Sequence, residues 1–391
     1  MILRELCRHL EQIAPLHLAA EWDNNGLLVG EPAAEVRRIL LAIDLTDAVL
    51  AEAVASQADL VLCYHPPIFQ PLRSIVADDA ATSHRSVGGR IHEVIRRGLA
   101  LYAMHTTLDA AAGGTNDVLA EVLGLVDSRP IAPHSTIDSP SGGDRKPGAG
   151  SGSAQRYKLV TFVPAEQAGH VADAIFAAGG GRIGDYDRCS FRVGGTGTFQ
   201  GGEEAKPAIG KSGRFESVNE VRLEIIIPAS RAADCVAALR QSHPYQTVAF
   251  DLYPLAELDE RVGLGRIGGV AQPADLPAMV ERIKRGLHVE AVWLAPPVSP
   301  PRMITTAACC AGSCGNLFRR AAFGGAQLYL TGELRHHDAL EAARAGMAVV
   351  AVRHSVSERR VLSRLAERLA KVAPDLAAQV SQADGDPFRW A

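Results

Sequence analysis

The chain has 391 residues, of which 47% are apolar and 21% charged, and a formal net charge of -4 at pH 7. That length suits two or three domains rather than one, the composition is that of a globular protein, and the mildly acidic balance excludes the basic footprint of a nucleic-acid or anionic-membrane binder. Seven scattered cysteines do not read as a disulfide framework, the N-terminal MILRELCRHLEQIAPL has no signal-peptide core, and no run approaches the roughly 20 apolar residues of a membrane span, so a reducing cytoplasm is the expected setting.

Residues 3–14 read as a helix with Leu3, Leu6, Leu10 and Ile13 on one face. EWDNNGLLVGE, Glu21 to Glu31, follows as a loop built on turn formers and leading into a strand. RRILLAIDLT (Arg37–Thr46) is a buried strand ending in polar residues, and Asp47–Ala55 is a helix. ADLVLCYHPPIF (Ala58–Phe69) is a second buried strand, stopped by Pro66 and Pro67, so His65 falls at its C-terminal end. In open α/β sheets that edge is where ligands bind. A helix over 86–98 leads to GLALYAMHTTLDAAAGGTND (Gly98–Asp117), a third strand delivering His105 and Asp109 at the same edge. Next comes HSTIDSPSGGDRKPGAGSGSAQR, Ser/Gly/Pro-rich and without apolar period, a linker over 134–156.

A self-contained unit occupies 157–258. Strands at Tyr157–Pro164, Tyr186–Phe199 (one or two), Glu220–Pro228 and Thr247–Tyr253 alternate with helices at Glu166–Ala177 and Ser230–Gln241. The order β-α-β-β-α-β is the ferredoxin-like pattern, and the unit's His170 and His243 read as structural. The main fold resumes over 259–391: a helix at 275–286, strands near Ala291–Leu294 and Met303–Ala308, a small-residue turn at Cys309–Phe318, and a strand at Ala326–Glu333. Cys310 and Cys314 read as buried small residues, because the spacing is not C-x-x-C and no second pair follows. TGELRHHDALEAARAGMAVVAVRHSVSERR (Thr331–Arg360) then gives a helix with His336 and His337 in its first turns and a buried strand ending at His354. His354 and Glu358 stand four apart, on one face of a following helix.

His, Asp and Glu are the ligand types of Zn, Mn or Fe sites, and two strand ends that deliver His65, His105 and Asp109, taken with the distant His354/Glu358 pair, form a constellation. YHPPIF, HTTLDAAAGGTND, TGELRHHDALEA and RHSVSE, with WDNNGLLVG in front, together resemble the NIF-three-like dinuclear-metal-centre family, also labelled GTP cyclohydrolase I type 2 homologues. The resemblance covers nearly the whole chain outside the linker. It implies an α/β fold of two related halves, 1–133 and 259–391, forming one discontinuous domain, with the 157–258 unit as an inserted ferredoxin-like (PII-like or CutA-like) α+β domain. It further implies a homohexamer and one or two divalent ions per subunit on His65, Asp109, His354 and Glu358. Family members usually have His-His-Pro where this chain has Tyr64-His65-Pro66. A phenol ionises at about pH 10, so ligation at pH 7 needs a depression of roughly three units, about 4 kcal/mol from the metal. The expectation is one firmly bound ion, with a second weak or bound by tyrosinate.

A metal-dependent hydrolase acting on a nucleotide or other phosphorylated small molecule is the first functional expectation. His105, His336 and His337 would then move protons or orient ligands, and Arg335 and Arg353 are candidate phosphate holders. The rival is a non-catalytic metal-binding or regulatory hexamer, with the insert as lid or partner-binding module. Single-stranded nucleic acid is disfavoured because no basic residues interleave with aromatics.

Overall fold

The two sheets that carry the histidines are built around central strands of four to seven residues that are largely buried. The computed structural model describes residues 1–77, 86–135, 156–255, 258–313 and 315–388; the expected linker and Cys314 lie largely or wholly outside them. The first sheet runs Gly26–Val29, Ala100–Ala103, Leu60–Cys63, Arg38–Ala42, Ala377–Val380. All neighbours are parallel except the Gly26–Val29 edge, and Leu41 sits beside Leu62 and Val61 beside Leu101. Unbroken apolar runs such as Leu60–Cys63 suit parallel strands covered by helices on both sides. The second sheet runs Trp293–Ala295, Ala348–Ala351, Leu328–Thr331, Ile304–Cys310, Arg266–Ala274, Leu125–Arg129. Its three central strands are parallel and its outer pairings antiparallel.

Each sheet borrows an edge strand from the other end of the chain. Ala377–Val380 pairs with Arg38–Ala42 in the first sheet, and Leu125–Arg129 pairs with Arg266–Ala274 in the second. The borrowed strands have little apolar pattern, LVDSR and AAQV, so periodicity does not announce them. The helices cross over as well. Leu362, Leu365 and Leu369 of the His354–Val372 helix pack with Leu6, Leu10 and Tyr102, while Leu119 and Leu123 of the Thr115–Leu123 helix pack with Ile304, Leu328 and Val350.

Residues 1–134 and 259–391 form one compact unit, and residues 135–258 a second. In the second, an antiparallel sheet ordered Phe250–Pro254, Arg156–Pro164, Phe215–Pro228, Phe191–Gln200 carries the helices Ala168–Ala177 and Ala232–Ser242 against Leu159, Leu223, Ile225 and Ile227. Three strand bounds differ from the sequence reading: Phe191–Gln200 is a single strand, Phe215–Pro228 begins five residues early, and Phe250–Pro254 begins three late. His243 is buried and faces Phe162 O at 3.0 Å.

One buried ion pair joins the two segments of the first unit. Arg266 is 2% exposed, and its guanidinium donates to Asp117 Oδ1 and Oδ2 at 2.5 and 2.9 Å and to the Gly263 and Gly265 carbonyls at 2.7 and 2.8 Å. A buried charge stripped of its partner keeps its full desolvation cost. Asp117→Ala is therefore expected to lower unfolding stability by about 3 kcal/mol, and Arg266→Met by less, in urea titrations followed by circular dichroism.

Candidate metal centre

His65 stands two residues beyond the strand Leu60–Cys63, and its amide bonds Ile43 O at 2.9 Å, which carries the sheet pairing on to it. His354 opens the helix His354–Val372 after the strand Ala348–Ala351. The preceding Arg353 has φ +80°, a strained conformation for a non-glycine residue. Its amide donates to Gly332 O at 2.8 Å, and its guanidinium to Phe388 O at 2.7 Å beside Asp386 at 3.5 Å. The C-terminal segment thus engages the arginine expected to hold phosphate. One turn on, Glu358 comes back over the same face, 2% exposed.

These three side chains converge. His354 Nε2 lies 3.1 Å from Glu358 Oε1, and His65 Nε2 lies 3.4 Å from Glu358 Oε2. Their ligand atoms all fall within 4.8 Å of one another, close enough to hold one metal ion. Glu358 Oε2 is buried without a hydrogen-bond partner among the described residues, an oxygen that a cation would satisfy. The backbone makes room: Gly312 has φ +62°, and a Cβ there would stand 2.6 Å from Glu358 Oε1 and 3.3 Å from His354 Nε2.

A carboxylate backs each histidine. Nδ1 of His65 donates to Asp44 at 3.0 Å, that of His354 to Glu333 at 3.1 Å, and that of His105 to Asp23 at 3.1 Å. This arrangement fixes the ring and turns Nε2 towards the centre, as outer carboxylates do in metal sites. With acids at both nitrogens, the rings of His65 and His354 are driven towards imidazolium. Burial opposes the charge on His65, yet the bond to Asp44 and the nearby Glu358 carboxylate raise its pKa to about 10. On His354 the bond to Glu358 outweighs burial and, with Glu333, raises the pKa to about 9. Burial pushes Glu358 up, but the two imidazoles hold it below the ordinary carboxylate value. The two Nε2 atoms that face Glu358 are those a divalent ion would take.

Asp109 is held differently. The sequence reading placed it at a strand end; it lies instead on the short helix Thr106–Ala110, which His105 caps. Asp23 organises that turn, accepting from Thr106 N at 3.0 Å as well as from His105. Tyr64, 1% exposed, donates its phenol proton to Asp109 Oδ1. Burial and the nearby Asp109 and Glu358 charges push the Tyr64 phenol well above its ordinary value. Burial likewise raises Asp109 to about 6 despite His105 and the Tyr64 hydroxyl. His105 stands edge-on to His65 at 5.1 Å between ring centroids, adjoining the cluster. His336, His337 and Arg335 are exposed at the start of the helix His336–Arg344, and the two imidazoles pack on each other at 5.3 Å. Cys310, expected as a free buried thiol, is buried but disulfide-bonded.

Asp44, Glu333 and Asp23 were read in the sequence only as strand or loop polar residues. The available signal was that each histidine-bearing strand end has an acid at a neighbouring strand or loop end. Among the described residues, no helix is long and apolar enough to cross a membrane.

A family model described as Duf34/NIF3 (NGG1p interacting factor 3) matches residues 1–387. A protein named GTP cyclohydrolase 1 type 2 homolog from Halalkalibacterium halodurans is 35% identical over 384 residues, 97% of this chain and 96% of that protein. One with the same name from Mycobacterium bovis is 37% identical over 350 residues, 89% of this chain and 86% of the other. The crystal structure of a Bacillus cereus protein related to NIF3 aligns with a TM-score of 0.71 at 33% identity, over 100% of this chain and 99% of that one.

A metal that displaces both Nε2 protons must bind more tightly as pH rises. Because both imidazoles keep their protons below about pH 9, Zn2+ affinity should rise about 100-fold per pH unit between pH 6 and 8. Calorimetry in buffers of different ionisation enthalpy should count about two protons released per ion.

Proposed function

The chain belongs to the Duf34/NIF3 family, and on that premise we propose that it is a metal-dependent hydrolase acting on a nucleotide or other phosphorylated small molecule. The observation that carries the reading is the buried Glu358 carboxylate between two imidazole nitrogens, at 3.1 and 3.4 Å, with one oxygen lacking a hydrogen bond among the described residues. His65, His354 and Glu358 would hold a Zn, Mn or Fe ion, with Asp44 and Glu333 orienting the histidines. A bound divalent ion supplies Lewis acidity towards a phosphoryl or carbonyl oxygen and lowers the pKa of water. His105, tied to Asp23 through Nδ1, presents its other nitrogen for proton exchange with attacking water or the leaving group. GTP is a first substrate to try, since the relatives' name refers to it.

The second ion is where this chain departs. Tyr64 stands where relatives are expected to have histidine, and its proton occupies an oxygen of Asp109. We assign one firm ion to His65, His354 and Glu358, and a weak one to Asp109 and Tyr64. A regulatory metal-binding hexamer without turnover is the second reading, and the capped Asp109 favours it. Both readings include a cytoplasmic homohexamer and a PII-like insert. The strand–helix–strand–strand–helix–strand order of residues 156–254 supports that description of the insert.

Purified protein loaded with Mn, Fe or Zn should hydrolyse GTP or another nucleotide or phosphodiester in a product screen. Glu358→Ala should lose at least about 100-fold in kcat/KM, and Asp44→Ala about 10- to 100-fold in metal affinity. Equal turnover in wild type, Asp109→Ala and Glu358→Ala would sink the hydrolase reading. Metal analysis with native mass spectrometry should give about one ion per chain, rising towards two in Tyr64→His; two tight ions in wild type without a tyrosinate absorption band would refute the assignment.

A further inference from the structure

Two large aromatic rings stand in solvent beside the metal centre. Trp22 is 61% exposed and Phe69 47%, with their ring centroids 5.9 Å apart and their planes tilted by 54°. Trp22 also meets His105 edge-on at 5.8 Å, and His105 meets His65 at 5.1 Å. The pair therefore lies two ring contacts from the ligand cluster, continuous with it along the surface.

Neither ring swings on a loose loop. Asp23, next to Trp22, has no exposed side-chain surface and accepts from His105 Nδ1, Thr106 N and Asn25 Nδ2, the last at 2.6 Å. Asn24 Nδ2 donates to Ile68 O at 2.6 Å, one residue before Phe69. This bond ties the two ring-bearing loops together. Aromatic surface held rigidly in water carries a standing hydrophobic cost, and a preformed platform stacks a planar ligand with little further loss of freedom.

We propose that Trp22 and Phe69 are the platform for the base of the substrate, so that the phosphorylated ligand of this site is a nucleotide whose planar ring stacks on them while its phosphate reaches His65, His354 and Glu358. The assignment rests on the hydrolase reading for the phosphate end and on the aromatic geometry for the base end. Phe69 comes from the segment that follows His65, and Trp22 from the one that holds His105, so base and phosphate are located by the same two loops. Every nucleobase offers a π face, so the platform selects for a base without choosing which one.

Intrinsic tryptophan emission of the full-length protein, titrated with GTP, guanosine and ribose 5-phosphate, tests this. GTP and guanosine should quench saturably and ribose 5-phosphate should not. Trp22→Leu should abolish that quenching, and equilibrium dialysis should show about tenfold weaker GTP binding, the size of one base-on-aromatic stack. Phe69→Leu, which retains the tryptophan, should weaken GTP binding in the same direction, with metal content unchanged in both variants. Wild-type affinity in both variants would overturn the proposal, and so would a fall in native mass in Trp22→Leu, since the rings would then cover a second copy of the chain. The two readings fail separately. Saturable quenching without turnover in any protein removes the hydrolase reading and leaves the platform, whereas turnover with KM unchanged in Trp22→Leu removes the platform alone.

Discussion

The structure around the metal centre depends on one carboxylate, Glu358, kept charged while 2% exposed. An isolated buried carboxylate would neutralise or draw in water. Glu358 stays charged because His65 and His354 reach it from two different sheets. That requirement explains features otherwise unrelated. Gly312 must lack a side chain, Ser357 must bond the Gly312 amide at 2.8 Å, and Arg353 must accept a strained φ to launch the helix at His354. Neither sheet holds enough ligands alone: the first supplies His65 with Asp44 behind it, and the second supplies His354 and Glu358 with Glu333 behind them.

Acids outnumber what the imidazoles alone can balance. Asp23, Asp44, Asp109, Glu333 and Glu358 surround three histidines. The protonated arrangement is thus one of two ways to settle the same charges, a divalent ion being the other. Tyr64 makes the balance uneven across the centre. At Glu358, the buried oxygen that faces His65 has no hydrogen bond among the described residues; at Asp109, a phenol proton occupies an oxygen.

Much of this was legible in the sequence because strand ends carry the chemistry. Pro66 and Pro67 stop a buried strand at His65, and the i, i+4 spacing of His354 and Glu358 fixes them on one helical face whatever the tertiary context. Asp109 was placed on a strand because the apolar run ALYAM flows into it; the Asp23 carboxylate, 80-odd positions earlier, captures the Thr106 amide and turns the backbone into a helix. The carboxylates behind the histidines, the Arg266–Asp117 pair and the Trp22–Phe69 contact are long-range pairings between residues that are individually unremarkable in a loop. A local pattern carries no record of such partners. The borrowed strands Leu125–Arg129 and Ala377–Val380 escaped for the same reason, since edge strands need little apolar alternation.

The exchange of edge strands sets a schedule for synthesis. Arg38–Ala42 leaves the ribosome early, but the strand that covers its open side, Ala377–Val380, is made more than 330 residues later. At about 5–20 residues per second, the nascent first sheet keeps an unpaired parallel edge for roughly 20–70 s. An exposed row of backbone donors and acceptors is a template for pairing with other chains, so the nascent chain passes through an aggregation-exposed interval until Ala377–Val380 is made. The same connectivity means that a ribosome stalled anywhere before residue 377 holds a chain whose first sheet cannot close, and whose Arg353, Ser355 and Arg359, where already made, still lack their partners Phe388, Asp386 and Asp384.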